Sequence, residues 1–387
     1  MGCLGTGTIE ERDYSPMKKF KLLFLDFEMP YLLKDVEYPV GGACVRQLAL
    51  ANGLISLGHK VGILTWQGAN QYVDKDLGFE LVESYSLTAG IKKLRFFYYH
   101  IPSLFRVVRE YRPDFIFQKC PGVNTAVMSL ISRVIGVPFI YMAGNDIDAD
   151  GRYNQRLKPF EGRVYEWGIR NAAMVMAQNS YQSAEFKKRF NVRCVRVLHN
   201  PIYYNYLELH AIRNIKDRNY IAWLGVFQPQ KNLPLLLDIV RRVPRIEFRI
   251  AGMLQRNASL ETRTLLKMIE SQENVKMVGY LKRTQVLPFL SNALALLSTS
   301  LYEGFPNTFL ESWLAGTPVI SRAIDPDGII KRNSIGSVAE HADEIVSEVF
   351  NLRDFPWYDS LANRCRRYVI ANHDPKIIAE RFINCLQ

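Results

Sequence analysis

No run of about 18 consecutive apolar residues occurs in the 387 residues, so no segment is long enough to cross a bilayer as a helix. A secretory signal is missing too: the start, MGCLGTGTIEERDYSPMKKFKLLFLDF, has no cationic segment followed by an apolar one. It does fit a Met-Gly-x-x-x-Thr myristoylation pattern with Cys3 beside it, and residues 1–16 are expected to form a disordered leader before Met17. Close cysteine pairs are lacking. The six cysteines, at 3, 44, 120, 194, 365 and 385, are scattered, which argues against zinc fingers and redox motifs and for a reducing cytosol. The six histidines show no metal-ligand spacing; His59 and His199 read as structural. Cys44 has no partnered base nearby in sequence, so a thiol nucleophile is not expected. Repeats and low-complexity tracts are also missing.

What is present is a soluble composition, 48% hydrophobic and 22% charged. At 387 residues it is too long for one ordinary core, so two domains are expected. The formal net charge is +11. Residues 1–200 hold 26 Lys and Arg against 19 Asp and Glu, and residues 201–387 hold 23 against 19. The excess concentrates in KKLRFFYYHIPSLFRVVREYR, residues 92–112, where six cations and one acid are interleaved with aromatics. Lys92, Lys93, Arg95, Arg106 and Arg109 would suit an anionic membrane surface, with the rings at headgroup level. An ordinary helix whose arginines snorkel over their own core is the other reading. Nucleic acid is not expected as a partner, because no recognisable module accompanies the charge.

Strand-length apolar runs alternate with helical patterns throughout, which implies parallel sheets with crossover helices. Residues 20–27, 61–66, 114–119, 138–143, 173–178 and 195–200 form one series of strands. Residues 220–227, 248–252, 275–281, 293–299 and 318–321 form a second. A polar, non-periodic stretch separates them. The expected organisation is an N-terminal Rossmann-like domain at 17–205, a second at 206–365, and a C-terminal helix at 366–387 packing back on the first. Two such domains in tandem face a cleft at the carboxyl ends of both sheets.

The segment STSLYEGFPNTFLESWLAGTPVIS places Glu303 and Glu311 eight positions apart in apolar surroundings. Gly304 and Pro306 prevent one helix from holding both acids. Glu303 is therefore expected in the loop after the strand ALALLST. Asn307 is expected to cap a short helix that carries Glu311 in its second turn and stops near Gly316. Free N–H groups of Asn307 and Thr308 at that helix start favour a phosphate. Carboxylates on either side would accept hydrogen bonds from sugar hydroxyls, so the unit could hold a nucleotide-sugar at both ends. A glycosidase would place its two acids across the substrate from separate elements, which fits less well.

Glu303-x7-Glu311 within EGFPNTFLESWLAGTPVI resembles the signature of the family 4 retaining glycosyltransferases, which have the GT-B fold of two Rossmann-like domains facing each other across a cleft. The likeness runs from about Lys18 onward and includes the Gly41-Gly42 loop, SLGHKVGILT, HNPI, WLGVFQPQKNLPLLLDIV and FRIAG. It implies a hexosyltransferase that moves a sugar from a UDP- or GDP-sugar to a glycan or lipid-linked acceptor with no metal and no cofactor. Its place would be the cytoplasm or the inner face of a membrane. Surface polysaccharide or glycolipid synthesis would be its task. Glu311 would bind the ribose and Glu303 the donor sugar, with Gly304, Phe305, Pro306, Asn307 and Thr308 meeting sugar and phosphates. Lys231 would neutralise the leaving diphosphate. Gly279, Tyr280 and Leu281 would face the base, and Gly41 and Gly42 would admit the diphosphate from the other side.

Two departures stand out. Relatives often carry Gly-Arg-x4-Lys, yet GVFQPQK puts Val226 at the arginine position, so Arg283 or Arg322 could supply the second cation. Relatives also place a histidine after the strand equivalent to PFIYMA; here Asn145 or Asp146 would take that place. Asp146-x-Asp148-x-Asp150-Gly151 resembles half a calcium loop, but Leu157 stands where the closing glutamate is needed. A sugar-nucleotide epimerase of similar shape and a non-catalytic membrane scaffold are the rival readings.

Overall fold

A computed structural model describes residues 18–34, 41–73, 77–204, 213–255, 258–353 and 357–387. The expected leader, Met17 and the 205–206 domain boundary lie outside the described residues. Short runs of branched and aromatic residues build a first parallel sheet. Its strands are β1 (Lys21–Leu25), β2 (Lys60–Thr65), β3 (Glu80–Glu83), β4 (Phe115–Lys119), β5 (Phe139–Met142), β6 (Met174–Ala177) and β7 (Val195–Val197), in the order β3-β2-β1-β4-β5-β6-β7. Leu22, Leu23 and Phe24 of β1 are fully buried, because a parallel sheet is covered on both faces.

The second sheet comprises β8 (Tyr220–Phe227), β9 (Glu247–Leu254), β10 (Val275–Gly279), β11 (Ala293–Ser298), β12 (Val319–Arg322) and β13 (Gly336–Ala339), ordered β10-β9-β8-β11-β12-β13. The strand order reverses between β1 and β4 in one sheet and between β8 and β11 in the other. At such switch points the crossover helices diverge and leave a crevice outside the carboxyl ends of the strands. Two of the four edge strands, β3 (ELVE) and β13 (GSVA), carry too little apolar signal to be seen in the sequence series.

Two C-terminal helices tie the halves together. Helix Tyr358–His373 buries Leu361, Cys365 and Val369 in the second domain's core. Helix Pro375–Leu386 buries Ile378, Ala379, Phe382 and Ile383 in the first domain's core. The crossing therefore falls at Asp374, not at the expected 365–366. Helix Gly42–Ser56 is packed against this last helix so closely that a Cβ on Gly53 would lie 2.1 Å from the Pro375 carbonyl oxygen. Beside the crossing, Ile202 N–H donates to the His373 carbonyl at 2.9 Å and His373 Nδ1 lies 2.8 Å from the Asn200 carbonyl. Burial pushes the His373 imidazole down to about 3, so it is neutral. Both chain crossings are therefore pinned to each other at one place between the halves.

Candidate functional site

Lys231 and Glu303 both follow switch-point strands, β8 and β11. Lys231 ends a single tight turn, Pro229–Lys231, and Asn232 then takes a left-handed φ of 50° to start the next helix. Its stem crosses Gly225, where a Cβ would lie 3.2 Å from Lys231 Cε. The turn is fixed from behind: Trp223 Nε1 donates to Thr299 Oγ1 at 3.1 Å, and Thr299 Oγ1 donates to the Lys231 carbonyl at 2.5 Å. So held, Lys231 Nζ donates to Glu303 Oε1 at 2.7 Å, with the side chains only 16% and 13% exposed. The residues expected to meet diphosphate and sugar are thus bound to each other. In a nucleotide-sugar the transferred sugar and its β-phosphate share one bond, so adjacent cation and carboxylate match adjacent groups of the ligand.

Glu303 lies in the loop after β11 and Glu311 in the second turn of helix Asn307–Leu314, as the segment's chemistry requires. Gly316, at φ 72°, lies just past the end of that helix. The cap differs from expectation. Pro306 is the N-cap and Asn307 the first helical residue, so the Asn307 side chain is free of the helix and turns across the cleft. Its Nδ2 donates to the Gly42 carbonyl at 3.0 Å, and its Oδ1 accepts from Arg46 Nε. A Cβ on Gly42 would lie 2.8 Å from Asn307 Nδ2, so a side chain there would press on this contact. Gly41 precedes it as the N-cap of its own helix, its N–H bound by Glu28 Oε2 at 2.9 Å.

Burial raises the Glu311 carboxyl above its ordinary range, against the nearby charges of Arg283 and Arg46. Arg283 Nη2 is 4.0 Å from Glu311 Oε1. Arg46 was not singled out in the sequence; it reaches the site from the first domain. Of the two expected substitutes for Val226, Arg283 is at the site, and no contact joins Arg322 to it among the described residues. Gly279 takes a φ of 78° at the end of β10, and exposed Tyr280 and half-buried Leu281 lead into the helix that Arg283 opens.

Gly304, Phe305 and Pro306 are buried against the first domain and do not line an open cleft. Asn179 Nδ2 donates to the Gly304 carbonyl at 3.0 Å, Phe305 N–H donates to Gln178 Oε1 at 2.8 Å, and Asn200 Nδ2 donates to the Phe305 carbonyl at 3.1 Å. The helix-start amides of Asn307 and Thr308 have no intrahelical partner and are left for a phosphate from this segment. Further contacts across the cleft join Arg156 to Gln230 at 3.0 Å and His199 to Asp327 at 3.0 Å. A Cβ on Gly304 would fall 2.3 Å from Gln178 Oε1 and 2.7 Å from Gln182 Nε2. Gly304→Ala is therefore expected to wedge the halves apart. Turnover should fall by roughly 10²-fold, as for an ångström of misplacement, while nucleotide affinity stays within a few-fold; steady-state kinetics and calorimetry on the same variant check it.

Asn145 is buried, and its Oδ1 accepts from Ile147 N–H at 3.3 Å. Asp146 Oδ1 accepts from Asn179 Nδ2 at 3.1 Å and Gln182 Nε2 at 2.9 Å, and burial pushes its carboxyl up to about 7. Both therefore support the seam under Gly304. Asp148 is fully buried with Oδ2 on the Gly144 and Asn145 amides, an internal brace of this loop. Among the described residues no group of three or more His, Cys, Asp or Glu is placed to hold a metal. A cavity of about 430 Å³ opens at the β1/β4 switch point, lined by Asp26, Gly41, Gln47, Gln118, Lys119 and Asn124 among others. Lys119, Gln178 and Asn200 escaped the sequence reading, although each ends or follows a strand of the first sheet, where such residues gather.

The basic stretch lies elsewhere. Helix Ile101–Tyr111 buries Leu104, Val107 and Val108 and exposes Arg106 and Arg109. Ahead of it, Ile91, Leu94, Phe97 and Tyr98 are exposed at 65%, 57%, 68% and 51%, beside exposed Lys92 and Lys93 and half-buried Arg95. No helix among the described residues is long and apolar enough to cross a membrane.

Two parallel α/β domains, with charged groups converging from both switch points, define a GT-B architecture. Comparison with known proteins agrees: a family model described as Glycosyltransferase Family 4 matches residues 40–205, and one described as Glycosyl transferases group 1 matches residues 207–347. The chain belongs to the family 4 glycosyltransferases. An uncharacterised glycosyltransferase of Methanocaldococcus jannaschii is 21% identical over 241 residues, 56% of this chain and 57% of that protein. The chain thus spans a little over half the length of that relative. In fold it is similar to sucrose-phosphate synthase of Thermosynechococcus elongatus (TM-score 0.72, 14% identity, 95% of this chain and 98% of that one). It is also similar to WaaG, a glycosyltransferase involved in lipopolysaccharide biosynthesis (TM-score 0.64, 17% identity, 94% and 98%).

Proposed function

We propose that this chain is a retaining glycosyltransferase that moves a sugar from a UDP- or GDP-sugar to a hydroxyl of a glycan or lipid-linked acceptor, at the cytoplasmic face of a membrane and in surface polysaccharide or glycolipid synthesis. The observation that carries the reading is the Lys231–Glu303 pair at 2.7 Å beside the helix start that leads to Glu311. In the reaction the bond from C1 to the diphosphate oxygen breaks, and its electron pair stays on the diphosphate. The acceptor oxygen bonds to C1 from the same face and passes its proton to a diphosphate oxygen. No side-chain base is required; the protein's share is positioning and stabilisation of the developing charge.

The donor enters through an opening of the cleft. The recess beside Glu311, bounded by Arg46, Ile202, Tyr203, Arg283 and Asn307, has about 10 Å³ of free space, room for one water. A nucleotide-sugar needs a site of roughly 300 Å³ or more. Rotation about the crossing at Asp374 provides it, and reclosure over the donor excludes water. The 430 Å³ cavity at the other switch point supplies the acceptor's place. A thermal-shift screen of UDP, GDP and their sugars tests the donor class. One base should raise the melting temperature in proportion to the logarithm of its concentration; no shift with any of them would sink this reading.

The membrane part rests on the exposed Ile91, Leu94, Phe97 and Tyr98 beside Lys92 and Lys93. Vesicles rich in anionic lipid should sediment the protein at low salt. Neutralising Lys92, Lys93, Arg95, Arg106 and Arg109 together should release it, at about 1 kcal/mol per cation near the surface. Sedimentation unchanged by the substitutions would return this stretch to an ordinary amphipathic helix.

A further inference from the structure

Arg46 projects from helix Gly42–Ser56 into the second domain's site, and its Nη1 is shut off from solvent with no hydrogen-bond partner. Its Nε is engaged by Asn307 Oδ1, at the first turn of helix Asn307–Leu314, whose first amides have no partner within the helix. The acidic groups acting on it include Glu303 and Glu311. Burial lowers the guanidinium to about 10, which leaves it charged at neutral pH. A buried, charged donor with an open hydrogen-bonding position is built to receive an anion. On the donor side, Lys231 is the cation beside Glu303, and Val226 is half-buried and apolar. Arg283 shares the recess beside Glu311 but is engaged there, lying 5.0 Å over the Tyr203 ring and 4.0 Å from Glu311.

We propose that Arg46 is the second diphosphate-binding cation, delivered by the opposite domain in place of the side chain that Val226 lacks. The inference rests on the nucleotide-sugar reading above and names a residue of that same site. Its consequence is a coupling: Lys231 meets the diphosphate in any state of the cleft, whereas Arg46 meets it only when the halves are closed. Full neutralisation of the leaving group therefore awaits closure, and an open donor complex is protected from hydrolysis.

The test is binding of UDP and GDP against uridine and guanosine, by calorimetry and NMR titration, to the full chain. Wild-type protein must bind one diphosphate; if it binds neither, the nucleotide-sugar reading itself fails and Arg46 is not at issue. Arg46→Gln, which keeps a donor for Asn307 without the charge, should weaken the preferred diphosphate by roughly 10–100-fold, as expected for a lost charge-assisted hydrogen bond. The nucleoside should be unaffected within about two-fold. Adding Val226→Arg to Arg46→Gln should recover most of the loss. Unchanged diphosphate affinity, or an equal loss for nucleoside and diphosphate, would overturn the proposal; so would an Asn307→Ala variant that reproduces the whole effect with Arg46 present. Should Arg46→Gln fail to fold, Val226→Arg alone decides. No gain in diphosphate affinity supports a position already filled by Arg46, and a gain of tenfold or more refutes it.

Discussion

Glu303→Gln is expected to lower kcat by about 10²–10³-fold, the usual loss when one preorganised charged group at a reacting centre is removed, while nucleoside diphosphate affinity changes within a few-fold. The substitution is isosteric, and a Gln carbonyl can still accept from Lys231 where Oε1 now does at 2.7 Å. What disappears is the second carboxylate oxygen, replaced by an amide donor that cannot accept from a sugar hydroxyl. The charge also disappears, so Lys231 is no longer balanced and folded-state stability falls by about 1–2 kcal/mol, a partly buried charged hydrogen bond. Because both side chains are less than one-fifth exposed, salt should modify this loss little. Kinetics with the nucleotide-sugar found by thermal shift, beside a melting curve, separate the two effects. A Glu303→Gln enzyme that still transfers at the wild-type rate would remove Glu303 from the sugar site.

The route from residues to site was direct wherever local chemistry decided the outcome. Glycine and proline after Glu303 required a loop there, and Glu311 fell in the second helical turn because nothing beyond Asn307 competes with a helix. The strands of both sheet interiors were legible because two-sided burial makes them continuously apolar; β3 and β13, edge strands of four residues with few apolar side chains, were not. Asn307 shows the limit. Its cap propensity is real, but its side chain finds better partners in Arg46 and the Gly42 carbonyl, more than 260 residues away in sequence. The same limit hid Arg46, Gln178 and Asn200, whose roles exist only once the two domains face each other. The partners of Asp146 are hidden in the same way, since Asn179 and Gln182, at the start of the helix after β6, lie more than 30 residues away in sequence.

Lys231→Ala is expected to have the larger effect on the diphosphate, because it removes the cation that Gly225, Trp223 and Thr299 together hold in place. Diphosphate affinity should drop roughly 10–100-fold, and kcat by a further 10²-fold or more, since the charge it offsets grows as the C1–O bond breaks. The folded state loses more here than in Glu303→Gln, about 1–3 kcal/mol, because a carboxylate only 13% exposed is left without its partner. Lys231→Arg should not rescue: the stem passes 3.2 Å from where even a Cβ on Gly225 would sit, which leaves no room to reposition a planar guanidinium. The double variant Lys231→Ala with Glu303→Gln distinguishes structure from function. Its melting temperature should be higher than the two single losses added together predict, since the unpaired carboxylate is gone. Its activity should stay as low as the worse single variant. Recovery of stability without recovery of transfer identifies the pair as catalytic, while recovery of both would mean that the ion pair serves only to hold the β8 and β11 loops together.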